Sequence, residues 1–167
     1  AEYFVCTNSN YAIFASRLGY VSITFLPVLG LFLMSLLTNR IDKIVKILLI
    51  LSAIIAAYYF FVPNVFDGYI CTGNYVIFQI GNVETIIYSI FYFGIILYSF
   101  IKGLNYVKHN KQSKNVQSIK WLIAGYALFI IPASIMIVLQ PEASKALPSV
   151  LCGFAVILAI VLAFKVA

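Results

Sequence analysis

Apolar residues in this chain do not alternate with polar ones; they run on. Five stretches, residues 12–37, 44–62, 83–101, 119–139 and 149–164, are apolar almost throughout. Short segments rich in Asn, Asp, Lys, Gly and Pro separate them. A helix crossing the hydrocarbon core of a bilayer needs about 20 mostly apolar residues at a rise of about 1.5 Å each. No water is present there to satisfy backbone amides, so a spanning segment must close its hydrogen bonds internally. The pattern therefore predicts an all-α fold, a polytopic transmembrane bundle of five membrane-spanning helices. It forms one integral membrane domain over residues 1–167.

The interruptions inside the stretches sharpen this picture. Pro27 lies inside the first helix and Pro132 inside the fourth, and each removes a backbone donor and favours a bend. The second helix carries Ala53, Ala56 and Ala57 as a small face. It ends in Tyr58, Tyr59 and Phe60, an interfacial aromatic belt stopped by Pro63-Asn64. Trp121 reads as an anchor at the start of the fourth helix. In the fifth, Ala155, Ala159 and Ala163 form a seam that permits close helix approach. Residues 63–82 are too short and polar to hide another crossing and read as a hairpin or an interfacial helix. Residues 102–118, the longest polar stretch, read as a loop.

Composition removes the soluble alternatives. The 167 residues are 63% hydrophobic and only 10% charged, against about 25% charged in a soluble domain. The net charge of +6 has a placement that explains it. Arg40, Lys43 and Lys46 flank the first connection, and Lys102, Lys108, Lys111, Lys114 and Lys120 flank the third. The other connections hold Asp67 and Glu84, then Glu142 with Lys145. Lys and Arg collect in cytoplasmic loops. The expected topology is N-terminus outside and C-terminus cytoplasmic, in the cell membrane of a bacterium or archaeon. The positive charge is read as topology and as attraction to membrane lipids, not as a nucleic-acid surface. No signal peptide is visible at the start. The chain begins at Ala1 rather than Met, so an upstream portion is expected to have been removed or to lie outside this sequence.

Candidate chemistry is sparse. Cys6, Cys71 and Cys152 all fall on the expected outer side, the oxidising one. Cys6 and Cys71 sit in segments free to approach and form the candidate disulfide; three inert thiols are the alternative reading. No CxxC spacing suggests a metal. The sole histidine, His109, lies in the basic connection, away from any membrane-buried site, so no cofactor is expected. No paired carboxylates at helical spacing, GxSxG or phosphate loop occurs, and the chain does not read as an enzyme. What remains is polar wall in the outer half. Arg17 lies near the outer end of the first helix, where it snorkels to headgroups or pairs inside the bundle. Glu84, Tyr88 and Tyr92 recur every four residues and share one helix face. With Ser134 beside Pro132, these five are the candidate ligand-binding set. The plainer alternative is a solvated Glu84 with tyrosines packed against neighbours.

The order of marks along the chain resembles a known family. Ala15-Ser16-Arg17-Leu18-Gly19-Tyr20 leads into Phe25-Leu26-Pro27-Val28-Leu29-Gly30-Leu31-Phe32. Later come Tyr88-Ser89-Ile90-Phe91-Tyr92-Phe93-Gly94-Ile95-Ile96-Leu97, a basic loop, Gln117, Leu122-Ile123-Ala124-Gly125 and Pro132. This is similar to the N-terminal seven-helix sensor region of bacterial and archaeal histidine kinases. The five helices here would match the last five of seven, with residues 1–4 as the tail of the second. The sequence is accordingly expected to be either a fragment of a receptor or a stand-alone relative whose output partner is another chain. The resemblance implies detection of a stimulus on the outer side and signalling inward to a cytoplasmic output partner.

Three functions are then in view. The first is a sensory or receptor-type membrane domain. The second is a non-catalytic structural or accessory subunit of a larger membrane complex, suggested by the small-residue faces and the absent catalytic set. The third is a transporter or channel subunit. It has the least support, because five helices leave little room for a pore without oligomerisation.

Overall fold

The computed structural model describes residues 9–40, 42–63, 65–72, 75–110 and 115–139, with 159, 160 and 163 near the C-terminus. Four helices and one hairpin fill that range. They are α1 (Ser9–Leu37), α2 (Lys43–Phe61), β1 (Phe66–Thr72), β2 (Tyr75–Ile80), α3 (Asn82–His109) and α4 (Val116–Leu139). The stretch 149–164, expected to form a fifth helix, lies outside the described residues apart from those three positions.

This is a membrane protein by length and composition: Arg17–Leu37, Lys43–Phe61 and Val83–His109 are each long and apolar enough to cross a bilayer. Their outer faces agree. On α2, Ile47, Ile50, Ile54, Tyr58 and Phe61 recur at helical spacing and are exposed, Phe61 by 74%. On α3, Val83, Ile87, Ile90, Leu97 and Ile101 do the same. Stripes of large exposed aliphatics are rare on soluble monomers and suit a hydrocarbon solvent.

The buried faces meet on α1. Tyr20, Ile23, Val28, Leu31 and Met34 of α1 are buried, and α1 packs against α2, α3 and α4. Polar α1 residues survive there because each bonds within its own helix. Thr24 donates to Tyr20 O at 2.6 Å and Ser35 to Leu31 O at 2.8 Å. A buried hydroxyl so satisfied costs little. Two close approaches set the packing. The Tyr126 ring and hydroxyl of α4 lie directly against Gly30 of α1. Gly103 of α3 admits Met34 and Ile123 to its surface, leaving 2.7 and 3.1 Å to where a Cβ would stand.

The structure corrects one expectation of the sequence and decides between the alternatives of another. Residues 102–118 are not a loop: α3 continues to His109 and α4 begins at Val116. A polar stretch continues a helix readily once the apolar part has nucleated it, and Tyr106 and Val107 pack against the buried cluster there. Residues 63–82 hold an antiparallel hairpin, with Ile70 opposite Ile77 and an irregularity between Phe66 and Gly68 where Asp67 is extra. Val65 and Ile80 at its base are buried in the same cluster as Tyr20, Tyr59 and Tyr88. The bundle thus has two distinct ends, one carrying the hairpin and one carrying the basic residues.

Candidate functional site

At the hairpin end, α1, α2 and α3 each contribute tyrosines to one aromatic cluster. Tyr20 stacks on Tyr59 with centroids 5.1 Å apart. Tyr88 meets Tyr59 edge-on at 5.5 Å, and Tyr92 follows at 5.9 Å from Tyr88. Each such pair contributes about 0.5–1.5 kcal/mol beyond simple burial. Thr24 Oγ1 lies 3.3 Å from the Tyr88 hydroxyl. Because the Thr24 proton is already given to Tyr20 O, Tyr88 is the donor in that contact. Tyr88 and Tyr92, both expected in a cavity wall, are 3% and 1% exposed. They fill space and do not line it.

Arg17 does not snorkel outward. Its guanidinium reaches across to the end of α2 and donates to Phe60 O at 2.9 Å, with a longer contact to Val62 O at 3.5 Å. The last carbonyls of a helix have no partner within it, and a cation there also meets the negative end of the helix dipole. Arg17 is the polar cap of α2, supplied by α1. Its Nε is buried with no hydrogen-bond partner among the described residues.

Glu84 stands in the first turn of α3, and its carboxylate folds back over Gly81. An acid there suits the positive end of the helix dipole. Ser134 is exposed on α4 and does not join the tyrosines. Of the five expected ligand residues, the structure therefore brings Tyr88 and Tyr92 into contact, turns Arg17 and Glu84 to helix ends, and leaves Ser134 apart. The candidate disulfide cannot be placed: Cys6 lies outside the described residues, and of Cys71 only its position in β1 is described.

The basic end is built differently. A cavity of about 690 Å³ opens there between the α1–α2 turn and one face of α3. Tyr98, Lys102, Asn105 and His109 line it from α3 at helical spacing, and Arg40 and Asp42 line it from the turn. The turn has a defined form. Asn39 takes a positive φ of 53°, Asn39 N donates to Leu36 O, and Arg40 N donates to Ser35 O. This is a Schellman closure of α1, with Asn in the left-handed position where a side chain other than Gly is best tolerated. Lys102 then ties three elements together: its ammonium donates to Ser35 Oγ at 3.0 Å, Arg40 O at 3.1 Å and Asp42 Oδ2 at 2.7 Å. Asn115, just before α4, donates to Leu37 O at 2.8 Å.

The Arg40 guanidinium has no hydrogen bond or ion pair among the described residues. The His109 ring holds Asn105 O through Nδ1 at 2.8 Å, which leaves Nε2 unengaged by that bond. Among the described residues no three His, Cys, Asp or Glu side chains group to hold a metal. The sequence reading missed the Lys102–Asp42 pair. The available signal was Asp42 itself, a lone acid between Arg40 and Lys43 at a helix start.

No family model matches the chain, and no curated protein or solved structure matches it.

Proposed function

We propose that this chain is a sensory or receptor-type membrane domain that relays a stimulus at its hairpin end, on the outer side, to a cytoplasmic output partner at its basic end. The reading rests on α3. That helix runs unbroken for 28 residues, about 42 Å. It carries Tyr88 and Tyr92 in the aromatic cluster at one end, and Lys102, Asn105 and His109 in the cavity wall at the other. A rigid helix anchored in both places transmits a change of packing at one end as a shift or rotation at the other.

The aromatic cluster is filled, so a stimulus acts by altering how Tyr20, Tyr59, Tyr88 and Tyr92 pack rather than by occupying a ready-made cavity. Arg17 and Glu84, each at a helix end, set the geometry of that cluster. The basic residues at the other end support a cytoplasmic side for it, the side on which an output domain of the histidine-kinase sensor type would attach. The accessory-subunit reading differs in requiring fixed partners and no coupling between the ends.

Hydrogen exchange in lipid nanodiscs tests the relay. Tyr88→Leu, which opens the cluster but keeps an apolar residue, is expected to change amide exchange over residues 98–110. Ile90→Ala on the exposed face of α3 is the control. If Tyr88→Leu changes exchange only near the hairpin end, the relay is wrong. Recovery of the chain from native membranes in fixed stoichiometry with other subunits would favour the accessory role.

A further inference from the structure

We infer that the cavity at the basic end is a binding site for the phosphate headgroup of an anionic glycerophospholipid, held by Arg40 and the amide donors beside it.

Charge points to an anion. Lys102 is neutralised by Asp42 at 2.7 Å, so that pair adds no net charge to the wall. Arg40 adds one positive charge and, unlike Lys102 in the same wall, has no internal partner among the described residues. The turn that carries it is closed by backbone bonds through Ser35 and Leu36, and its carbonyl is held by Lys102. The guanidinium thus stands on a fixed base, and its planar array of donors suits phosphate oxygens. Asn39 and Asn105 line the same space and supply further neutral donors.

Position points to a lipid rather than a soluble anion. Counted from Val83, the start of the α3 span, about 20 residues of crossing end near Lys102. The cavity therefore straddles the boundary between hydrocarbon and headgroups. Ile101 belongs both to the cavity wall and to the exposed aliphatic stripe of α3, where it follows Leu97 and precedes Leu104. A bound molecule would find cations and amides at one end and an apolar track leading away at the other. That is the shape of a phospholipid, and inorganic phosphate has no use for the apolar half. This inference does not depend on the relay.

Native mass spectrometry of the full chain in detergent reads it out. Phosphatidylglycerol and phosphatidylcholine with the same acyl chains are titrated separately. One saturable phosphatidylglycerol adduct is expected, preferred about tenfold over phosphatidylcholine. Arg40→Gln, which keeps the backbone carbonyl that Lys102 uses, should weaken it about five- to tenfold. Asn105→Leu, which removes an amide donor from the α3 side of the wall, should weaken it too. Lys108→Gln, exposed and outside the cavity, should leave it unchanged. Circular dichroism verifies that each variant is folded. Equal binding of the two lipids would overturn the proposal. So would an Arg40→Gln variant that binds as wild type, or a Lys108→Gln variant that loses as much, since that would be general surface charge. Displacement of the lipid by millimolar inorganic phosphate would assign the site to a soluble anion instead.

Discussion

Lys102 of α3 donates a 2.7 Å hydrogen bond to the carboxylate of Asp42, the N-cap residue of α2. The two residues are distant in sequence and lie on helices otherwise joined through α1. Their side chains are 14% and 40% exposed, so the pair is sheltered on one side only. The same ammonium bonds Ser35 of α1 and Arg40 of the turn that follows it. One cation thus fixes the relative height of three helices at the basic end.

Removing either partner should cost stability without abolishing the fold. Lys102→Met and Asp42→Asn are each expected to cost about 1–2 kcal/mol, towards the low end for a charged hydrogen bond because Asp42 is partly solvated. The double variant should cost less than the sum of the two, since the interaction is lost once. Thermal unfolding of the four proteins in one detergent measures the coupling; strict additivity would mean that the contact contributes nothing.

Arg17 makes a separate prediction at the other end. Arg17→Leu leaves Phe60 O at the end of α2 without its side-chain donor, at a cost of about 1–3 kcal/mol. Arg17→Lys should recover part of this, because an ammonium can reach one carbonyl but cannot reproduce the fork. Amide exchange over residues 58–62 is the readout, and it should rise in Arg17→Leu more than in Arg17→Lys.

Gly30 and Tyr126 predict a non-additive pair. A Cβ at Gly30 meets the Tyr126 hydroxyl first, with the ring carbon behind it at 3.3 Å. Gly30→Ala alone should cost about 1–3 kcal/mol through overpacking. Tyr126→Phe alone should cost about 1 kcal/mol, because Ser99 loses the hydroxyl to which it donates at 3.2 Å. Together they should be more stable than Gly30→Ala by itself, since the colliding atom is gone. A double variant no better than Gly30→Ala would show that the helix backbones, not the hydroxyl, set the distance.

Asn39 tests the turn that supports Arg40. Its φ of 53° is one that Gly adopts freely and a β-branched residue resists. Asn39→Gly should be close to neutral and Asn39→Val should cost about 1–2 kcal/mol. Thermal unfolding of the two separates them; equal stability would mean that the turn relaxes.

Much of this architecture was legible in the chain because its cause is local. Uninterrupted apolar length identified α1 and α2 to within a few residues, since hydrocarbon demands about 20 such residues and sequence displays them directly. The four-residue spacing of Tyr88 and Tyr92 correctly put them on one face. What that face meets was not legible, because a tyrosine reads the same whether it lines a cavity or packs on Tyr59. The helix between Lys102 and His109 was missed because polarity marks the end of the membrane, not the end of the helix. The partners of Arg17 and Lys102 were missed for a deeper reason. Arg17 caps α2 and Lys102 ties down the α1–α2 turn; each is distant in sequence from what it holds, and only packing brings the cation there.

The central claim is that the hairpin end faces the exterior and the basic end the cytoplasm. Labelling intact cells with a membrane-impermeant maleimide tests it directly. Two versions of the chain are needed, one with Cys71 as its sole cysteine and one with Lys108→Cys as its sole cysteine. The account expects Cys71 to react in intact cells and position 108 to react only after permeabilisation. Reaction at position 108 in intact cells, with Cys71 protected until the membrane is opened, would contradict it.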